Sequence, residues 1–173
     1  MFELRTERLT FRHGTASDVE AIHAIVSDWD VVKNLGSWPF PADLGYTINR
    51  IVNQPDRNIG FAGIVRAGDE IVGGMGIVGG DLGYSFGRAH WGKGYATEMS
   101  RRLVDYAFDC FNWPQLTSEA YVDNPASSRV LAKVGFEPAG MAMAPCAARG
   151  GDFEVHRFIL ARERWDALRN AGQ

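Results

Sequence analysis

Apolar and polar residues alternate along this chain with two different periods, and the change from one to the other marks out its elements. Across residues 59–86, "IGFAGIVRAGDEIVGGMGIVGGDLGYSF", short apolar runs are broken by Ala-Gly-Asp-Glu and Gly-Gly-Asp, the pattern of three antiparallel strands joined by hairpins. From Ala96 the period lengthens. Met99, Leu103, Tyr106, Ala107, Cys110 and Phe111 fall on one helical face and Ser100, Arg101, Arg102, Asp105 and Asp109 on the other, which predicts a long amphipathic helix.

Shorter signals fill in the rest. "LTFR" near the start reads as a strand, and Thr15 or Ser17 followed by Asp18 and Glu20 opens a short helix carrying Ile22, Ile25 and Val26. The prolines of "SWPFPADLGY" forbid regular structure there, and a second helix is expected at about residues 43–53. "QLTSEAYVD" is a strand ending at Asp123. Asn124 then suits an N-cap, Pro125 the first helical position, and Ser127, Val130, Leu131 and Val134 a short stripe closed by a left-handed Gly135, with Phe136 folding back. "DFEVHRFILARERWDAL" predicts a last strand and a helical turn or two. The order is strand, two helices, three antiparallel strands, long helix, strand, short helix and closing strands, which defines an α/β (α+β) fold on a mostly antiparallel sheet.

Composition limits what such a fold can be. The 173 residues are 46% apolar and 12% aromatic, enough for one core and too few for two ordinary domains, so residues 1–173 are expected to form a single domain. A formal charge of -3 offers no basic field for nucleic acid. The N-terminal "MFELRTERLTFR" has no apolar block of signal-peptide length, and no apolar run approaches a membrane span, so a soluble, cytoplasmic protein is expected. Cys110 on a helix face and Cys146 in a loop read as free thiols, and His13, His23, His90 and His156 are too scattered to predict a metal.

One stretch departs from this ordinary picture. "GRAHWGKGYATE", residues 87–98, places Gly87, Gly92 and Gly94 with Lys93 directly before the long helix. The N-terminus of a helix carries unpaired N–H groups and the positive end of its dipole, and missing side chains let phosphate oxygens approach. The alternative is that these are turn glycines and nothing more. As a nucleotide loop, Gly87, Gly92 and Lys93 satisfy G-x-x-x-x-G-K, but Gly94 stands where Ser or Thr must hold magnesium, and the preceding hairpins oppose a parallel sheet. An NTPase is therefore the minor alternative.

"TERLTFR", "DLGYSF" followed by "HWGKGYATE", and "VDNPASSRVLAKVGFEPAG" together resemble the GNAT acetyltransferases, in the branch similar to ribosomal-protein N-terminal (alanine) acetyltransferases. These motifs stand in family order and span most of the chain. The resemblance implies a GNAT fold: helices flank a central sheet whose two central strands splay apart around acetyl-CoA. It implies that the strand containing Ser85, Phe86 and Gly87 pairs with the pantetheine arm, and that Trp91, Gly92, Lys93, Gly94, Tyr95, Ala96 and Thr97 hold the pyrophosphate. Asn124 matches the asparagine that touches the cofactor arm, and serves equally as a helix cap. The family pattern Q/R-x-x-G-x-G/A has Trp91 in its first place here, which removes a donor and shifts the load to backbone N–H groups and Lys93.

Acetyl transfer to an amine needs a proton acceptor for the ammonium, N–H groups near the carbonyl and a proton for the departing sulfur. An α-amine, with a pKa of about 8, needs less help than a lysine at about 10.4. The resemblance places Asp81 where relatives carry a glutamate base; one methylene shorter, it acts through water, binds the ammonium, or is simply a turn residue. Glu119 is a second acceptor candidate or a solvated strand residue. Ser127 matches the serine near sulfur, with Ser128 as backup; a first-turn serine is otherwise common. Tyr84 and Tyr121 are packed or donate. Trp38 and Phe40, in the Pro-stiffened loop, wall an acceptor pocket or cap the core. The expected partners are an amine, as a protein N-terminus or a small molecule, and at most a second copy of the chain. Direct transfer in a ternary complex is expected, since neither cysteine has a nucleophile's setting. A catalytically silent acyl-CoA-binding module is the remaining alternative.

Overall fold

The hairpin pattern of residues 59–86 forms the centre of an eight-stranded sheet in the computed structural model, which describes residues 2–172. Strands β1 (Glu3–Arg5), β2 (Thr10–Arg12), β3 (Gly60–Ala67), β4 (Glu70–Val78) and β5 (Asp81–Phe86) follow one another antiparallel, and the order continues with β6 (Gln115–Tyr121), β8 (Gly151–Ala161) and β7 (Glu137–Cys146) at the edge. Helices α1 (Val19–Val26), α2 (Trp29–Val32) and α3 (Leu44–Val52) precede β3, α4 (Tyr95–Cys110) follows β5, α5 (Pro125–Val134) follows β6, and α6 (Arg162–Asn170) closes the chain.

Strand alternation divides the core between the two faces of the sheet. Phe61 and Val65 of β3 join Met99, Leu103 and Ala107 of α4, whereas Ile64 joins Val19, Ile22, Val26 and Ile51 of α1 and α3. The long helix is amphipathic as its spacing predicts, with Met99, Leu103, Val104, Ala107 and Phe108 buried. The cap of α5 also forms as expected: Asn124 Oδ1 accepts from the Ser127 N–H, and Gly135 adopts φ 115° while the Gly135 and Phe136 N–H groups return to the Leu131 carbonyl.

The sheet is antiparallel except at one place. Strands β4 and β5 stay in register from Gly73↔Phe86 to Val78↔Asp81, but β5 and β6 run parallel and share only the pair Asp81↔Thr117. The Thr117 N–H donates to the Gly80 carbonyl and the buried Ser118 hydroxyl to that of Leu82, both at 2.8 Å. Past this apex the two strands part, which is the splay the family resemblance implies.

Several local expectations are corrected. Cys146 is not in a loop: it ends β7, buried, its thiol toward the Lys33 and Leu35 carbonyls. Strand β6 stops at Tyr121 rather than Asp123, because the Asn124 N–H turns back to the Tyr121 carbonyl. Helix α2 is an addition, capped by the Asp28 carboxylate accepting from the Asp30 N–H. Among the described residues no helix is long and apolar enough to cross a membrane, and both cysteines are free.

Candidate active site

Where β5 and β6 diverge, an open cleft of about 1550 Å³ runs from the N-terminus of α4 past α5 to the loops around α2. Its first wall is the glycine loop. After a single 3-10 turn at Arg88–His90, Gly92 and Gly94 take φ of 73° and 80°, the left-handed region that favours glycine. A side chain at Gly92 would meet open space, so conformation rather than crowding demands the glycine. Among the described residues, no protein acceptor pairs with the N–H groups of Gly92, Lys93, Gly94, Tyr95, Ala96 and Thr97. Six unpaired donors at the positive end of a sixteen-residue helix suit a phosphate group.

The other loop side chains anchor it. Trp91, though 47% exposed, donates from Nε1 to the Phe86 carbonyl at 2.8 Å and ties the loop to the end of β5. The Lys93 ammonium lies 6.0 Å from the centre of the Tyr95 ring and does not line the cleft. Phe86 is buried, and Ser85, Tyr95, Ala96 and Thr97 line the wall. Gly87 opens the loop where a side chain would crowd Ile25 and His90.

Farther along, the Tyr84 and Ser127 hydroxyls share a 2.7 Å hydrogen bond, joining β5 to the first turn of α5. Burial pushes the Tyr84 phenol up to about 12, against a smaller lowering by Ser127, so the proton stays on at neutral pH. Ser128 Oγ is buried and has no partner among the described residues.

Opposite faces of the sheet hold the remaining candidates. Leu82, Tyr84 and Phe86 of β5 turn toward the α4 core, so Asp81 turns away, and Thr117, Glu119 and Tyr121 of β6 share its face. Asp81 accepts from Thr117 Oγ1 at 2.9 Å. Asp81 keeps solvent access, yet the protein around its carboxyl raises the pKa. Thr117 and Arg157 oppose that rise and Glu119 adds to it. Glu119 pairs with Arg157 at 3.4 Å, and the three charged groups line a second cavity of about 240 Å³.

The acceptor-side aromatics separate. Trp38 lines the cleft, 5.3 Å from the Tyr46 ring and 5.8 Å from the Arg50 guanidinium. Phe40 does not: it stands 44% exposed against Trp29. The buried Tyr121 donates its hydroxyl to the Pro145 carbonyl at 2.6 Å beneath Arg149, so this phenol is committed to the wall.

The cleft therefore collects Asp81, Tyr84, Ser85, Glu119, Asn124 and Ser127 with Trp38 and the loop from Trp91 to Thr97, and leaves out Gly87, Phe40 and the Lys93 ammonium. Sequence reasoning missed Arg157, two strands from Asp81, and Arg149, which binds Asp123 through Nη1 at 2.7 Å and the Lys33 carbonyl through Nε at 2.6 Å. Arg157 stands next to a buried strand position in an alternating run, a signal that places it on a face but names no partner.

Unpaired amides at a helix start, beside parallel strands that part after one register pair, make a cleft suited to an anionic ligand on an α+β sheet. Residues 8–137 match the model of the acetyltransferase (GNAT) domain, and the chain belongs to that family of acyltransferase enzymes. It is 29% identical to the uncharacterized N-acetyltransferase p20 of Bacillus licheniformis over 177 residues, which cover 95% of this chain and 99% of the relative. The fold is shared with RimL, a ribosomal L7/L12 alpha-N-protein acetyltransferase solved with coenzyme A, at a TM-score of 0.79 and 17% identity over 92% and 98% of the two chains. It is shared also with the spermidine N-acetyltransferase of Vibrio cholerae, solved with CoA and spermine, at 0.76 and 17% over 92% and 99%.

Proposed function

We propose that this enzyme moves the acetyl group of acetyl-CoA to a primary amine, either a protein N-terminal α-amine or a small-molecule amine, by direct attack in a ternary complex. One observation carries the proposal: the donor pair Tyr84–Ser127 and the acceptor pair Asp81–Glu119 reach the same splay from opposite faces of the sheet. Cosubstrate and amine then enter from different sides, and neither needs to leave for the other to bind.

Acetyl-CoA supplies the activated thioester when bound. The N–H groups from Gly92 to Thr97 hold its pyrophosphate, and the β6-facing edge of β5 beyond Leu82, which has no strand partner among the described residues, offers backbone groups to the amide-bearing arm around Ser85, Phe86 and Gly87. Asn124, held by its cap bond at the start of α5, flanks that arm. Asp81 accepts the ammonium proton or binds the ammonium, with Glu119 adding negative charge beside it. Ser127, polarised by Tyr84, donates the proton that the leaving thiolate needs. Trp38 and Tyr121 shape the amine's wall.

The test is thiol release from acetyl-CoA with peptides bearing free N-termini, polyamines and aminoglycosides as acceptors. Release with one class establishes the activity and its acceptor. Binding of acetyl-CoA without release for any amine overturns the proposal in favour of a silent binding module.

A further inference from the structure

Arg8 stands in the turn between β1 and β2, 90 residues before Glu98 in the first turn of α4. Its guanidinium meets the Glu98 carboxylate through Nε at 2.7 Å and Nη2 at 2.6 Å, and donates from Nη1 to the Lys93 carbonyl at 2.9 Å. It also lies 5.0 Å from the centre of the Tyr95 ring. The Arg8 N–H and the Thr6 hydroxyl donate to the same carboxylate at 3.1 and 2.5 Å.

Two physical consequences follow for the phosphate loop. Glu98 is the acid of the first turn of α4, the place where a polyanionic ligand must settle, and an uncompensated carboxylate there repels it. Burial pushes the Glu98 pKa up, but the bonds from Thr6 and Arg8 outweigh it and hold it below the usual value. The carboxylate is thus charged at neutral pH, and Arg8 cancels it. The second consequence is geometric. A trans peptide points its C=O and N–H in opposite directions, so holding the Lys93 carbonyl on the Arg8 side turns the Gly94 N–H away from it. Gly94 lines the cleft.

We propose that Arg8 is a positioning residue for the phosphate end of the acetyl-CoA site, cancelling the Glu98 charge and aiming the Gly94 N–H into the cleft. This rests on the acetyl-CoA assignment of the cleft. A lysine would keep the charge but lose the fork that serves the carboxylate and the carbonyl together.

Calorimetric titration of the full chain with coenzyme A tests it, with circular dichroism confirming that each variant is folded. Arg8→Gln is expected to weaken binding about tenfold, and Arg8→Gln with Glu98→Gln to bind more tightly than Arg8→Gln alone, because the bare carboxylate is gone. A merely structural role predicts no such recovery. In turnover, Arg8→Gln raises KM for acetyl-CoA with little change in kcat. Arg8→Lys, expected to weaken binding about threefold, carries the test if Arg8→Gln does not fold. A folded Arg8→Gln or Arg8→Lys that binds coenzyme A as the wild type does overturns the proposal, as does a double variant no tighter than Arg8→Gln. A wild-type chain that binds no coenzyme A removes the acetyl-CoA assignment itself, and this inference with it.

Discussion

The Tyr84 hydroxyl lies 2.7 Å from Ser127 Oγ, so a strand residue and a helix residue 43 positions apart present one joined pair of hydroxyls to the cleft. The pair keeps its protons to high pH, since burial holds the Tyr84 phenol at about 12. Ser127→Ala is expected to lower kcat about ten- to hundredfold, in the lower range of general-acid effects, while acetyl-CoA binding changes little. Tyr84→Phe should cost less, because water can replace the polarising hydroxyl. Steady-state kinetics beside equilibrium binding decide it. Unchanged turnover in Ser127→Ala removes the serine from proton donation.

In the proposed transfer Asp81 is the base, and that role predicts an acidic limb of activity. A base must be unprotonated to work, so the rate rises with pH through its pKa, and the protein around the Asp81 carboxyl moves that limb upward from an ordinary aspartate's. Arg157 opposes the rise and Glu119 strengthens it. Arg157→Gln is therefore expected to move the limb to higher pH, and Glu119→Gln to lower pH. Asp81→Asn should abolish it. Profiles of kcat/KM with one amine, beside the carbon-13 carboxyl shifts of Asp81, check the order. A limb that persists in Asp81→Asn belongs to the amine.

How far the sequence could reach is clear from particular residues. The α4 stripe, the hairpins, the Asn124 cap and Gly135 were all legible, since each depends on a period or on one residue's backbone preference. Strand β7, "EPAGMAMAPC", has no period and a register break between Pro138 and Met141, so nothing local announced it. The site split in the same way. The glycine loop, Asn124 and Ser127 lie in contiguous motifs that carry their own reading, whereas Arg8, though inside "TERLTFR", and Arg157 meet partners far away in the chain. Phe40 and Trp38 stand two residues apart and look alike in sequence, yet the packing of the loop turns one to Trp29 and the other to the cleft.

Asp18 shows a residue whose local signal hid a larger role. It marks the helix start as expected, but its buried carboxylate also accepts from Arg12 Nη1 and Nη2 at 2.7 and 2.8 Å and from the Thr15 N–H at 2.8 Å. The Arg12 bond, with Thr15 helping and burial opposing, holds its pKa below the usual value. A carboxylate depressed in the folded state contributes stability above its unfolded pKa and loses it as pH falls through the folded one. Asp18→Asn is expected to cost about 3 kcal/mol at pH 7 by leaving Arg12 unpaired. Its unfolding free energy should also fall less steeply than the wild type's below about pH 4. Denaturant melts across pH 2–7 provide the comparison, and parallel curves for the two proteins contradict it.

Trp38 and Phe40 separate the wall of the cleft from the loop that supports it. Trp38 is partly buried against the cluster that holds Ile22 and Ile51 and faces the cleft beside Arg50, whereas Phe40 spends its ring on Trp29 at the surface. Trp38→Ala is expected to raise KM for the amine about tenfold and to leave KM for acetyl-CoA within about twofold, because the proposed function puts the tryptophan on the acceptor side alone. Phe40→Ala should change neither constant by more than about twofold, with a stability loss of about 1 kcal/mol from the lost aromatic pair. Bisubstrate kinetics resolve the two constants. Equal effects of the two substitutions on amine KM would mean that the loop acts as one stiff unit, with no direct contact from Trp38 to the acceptor.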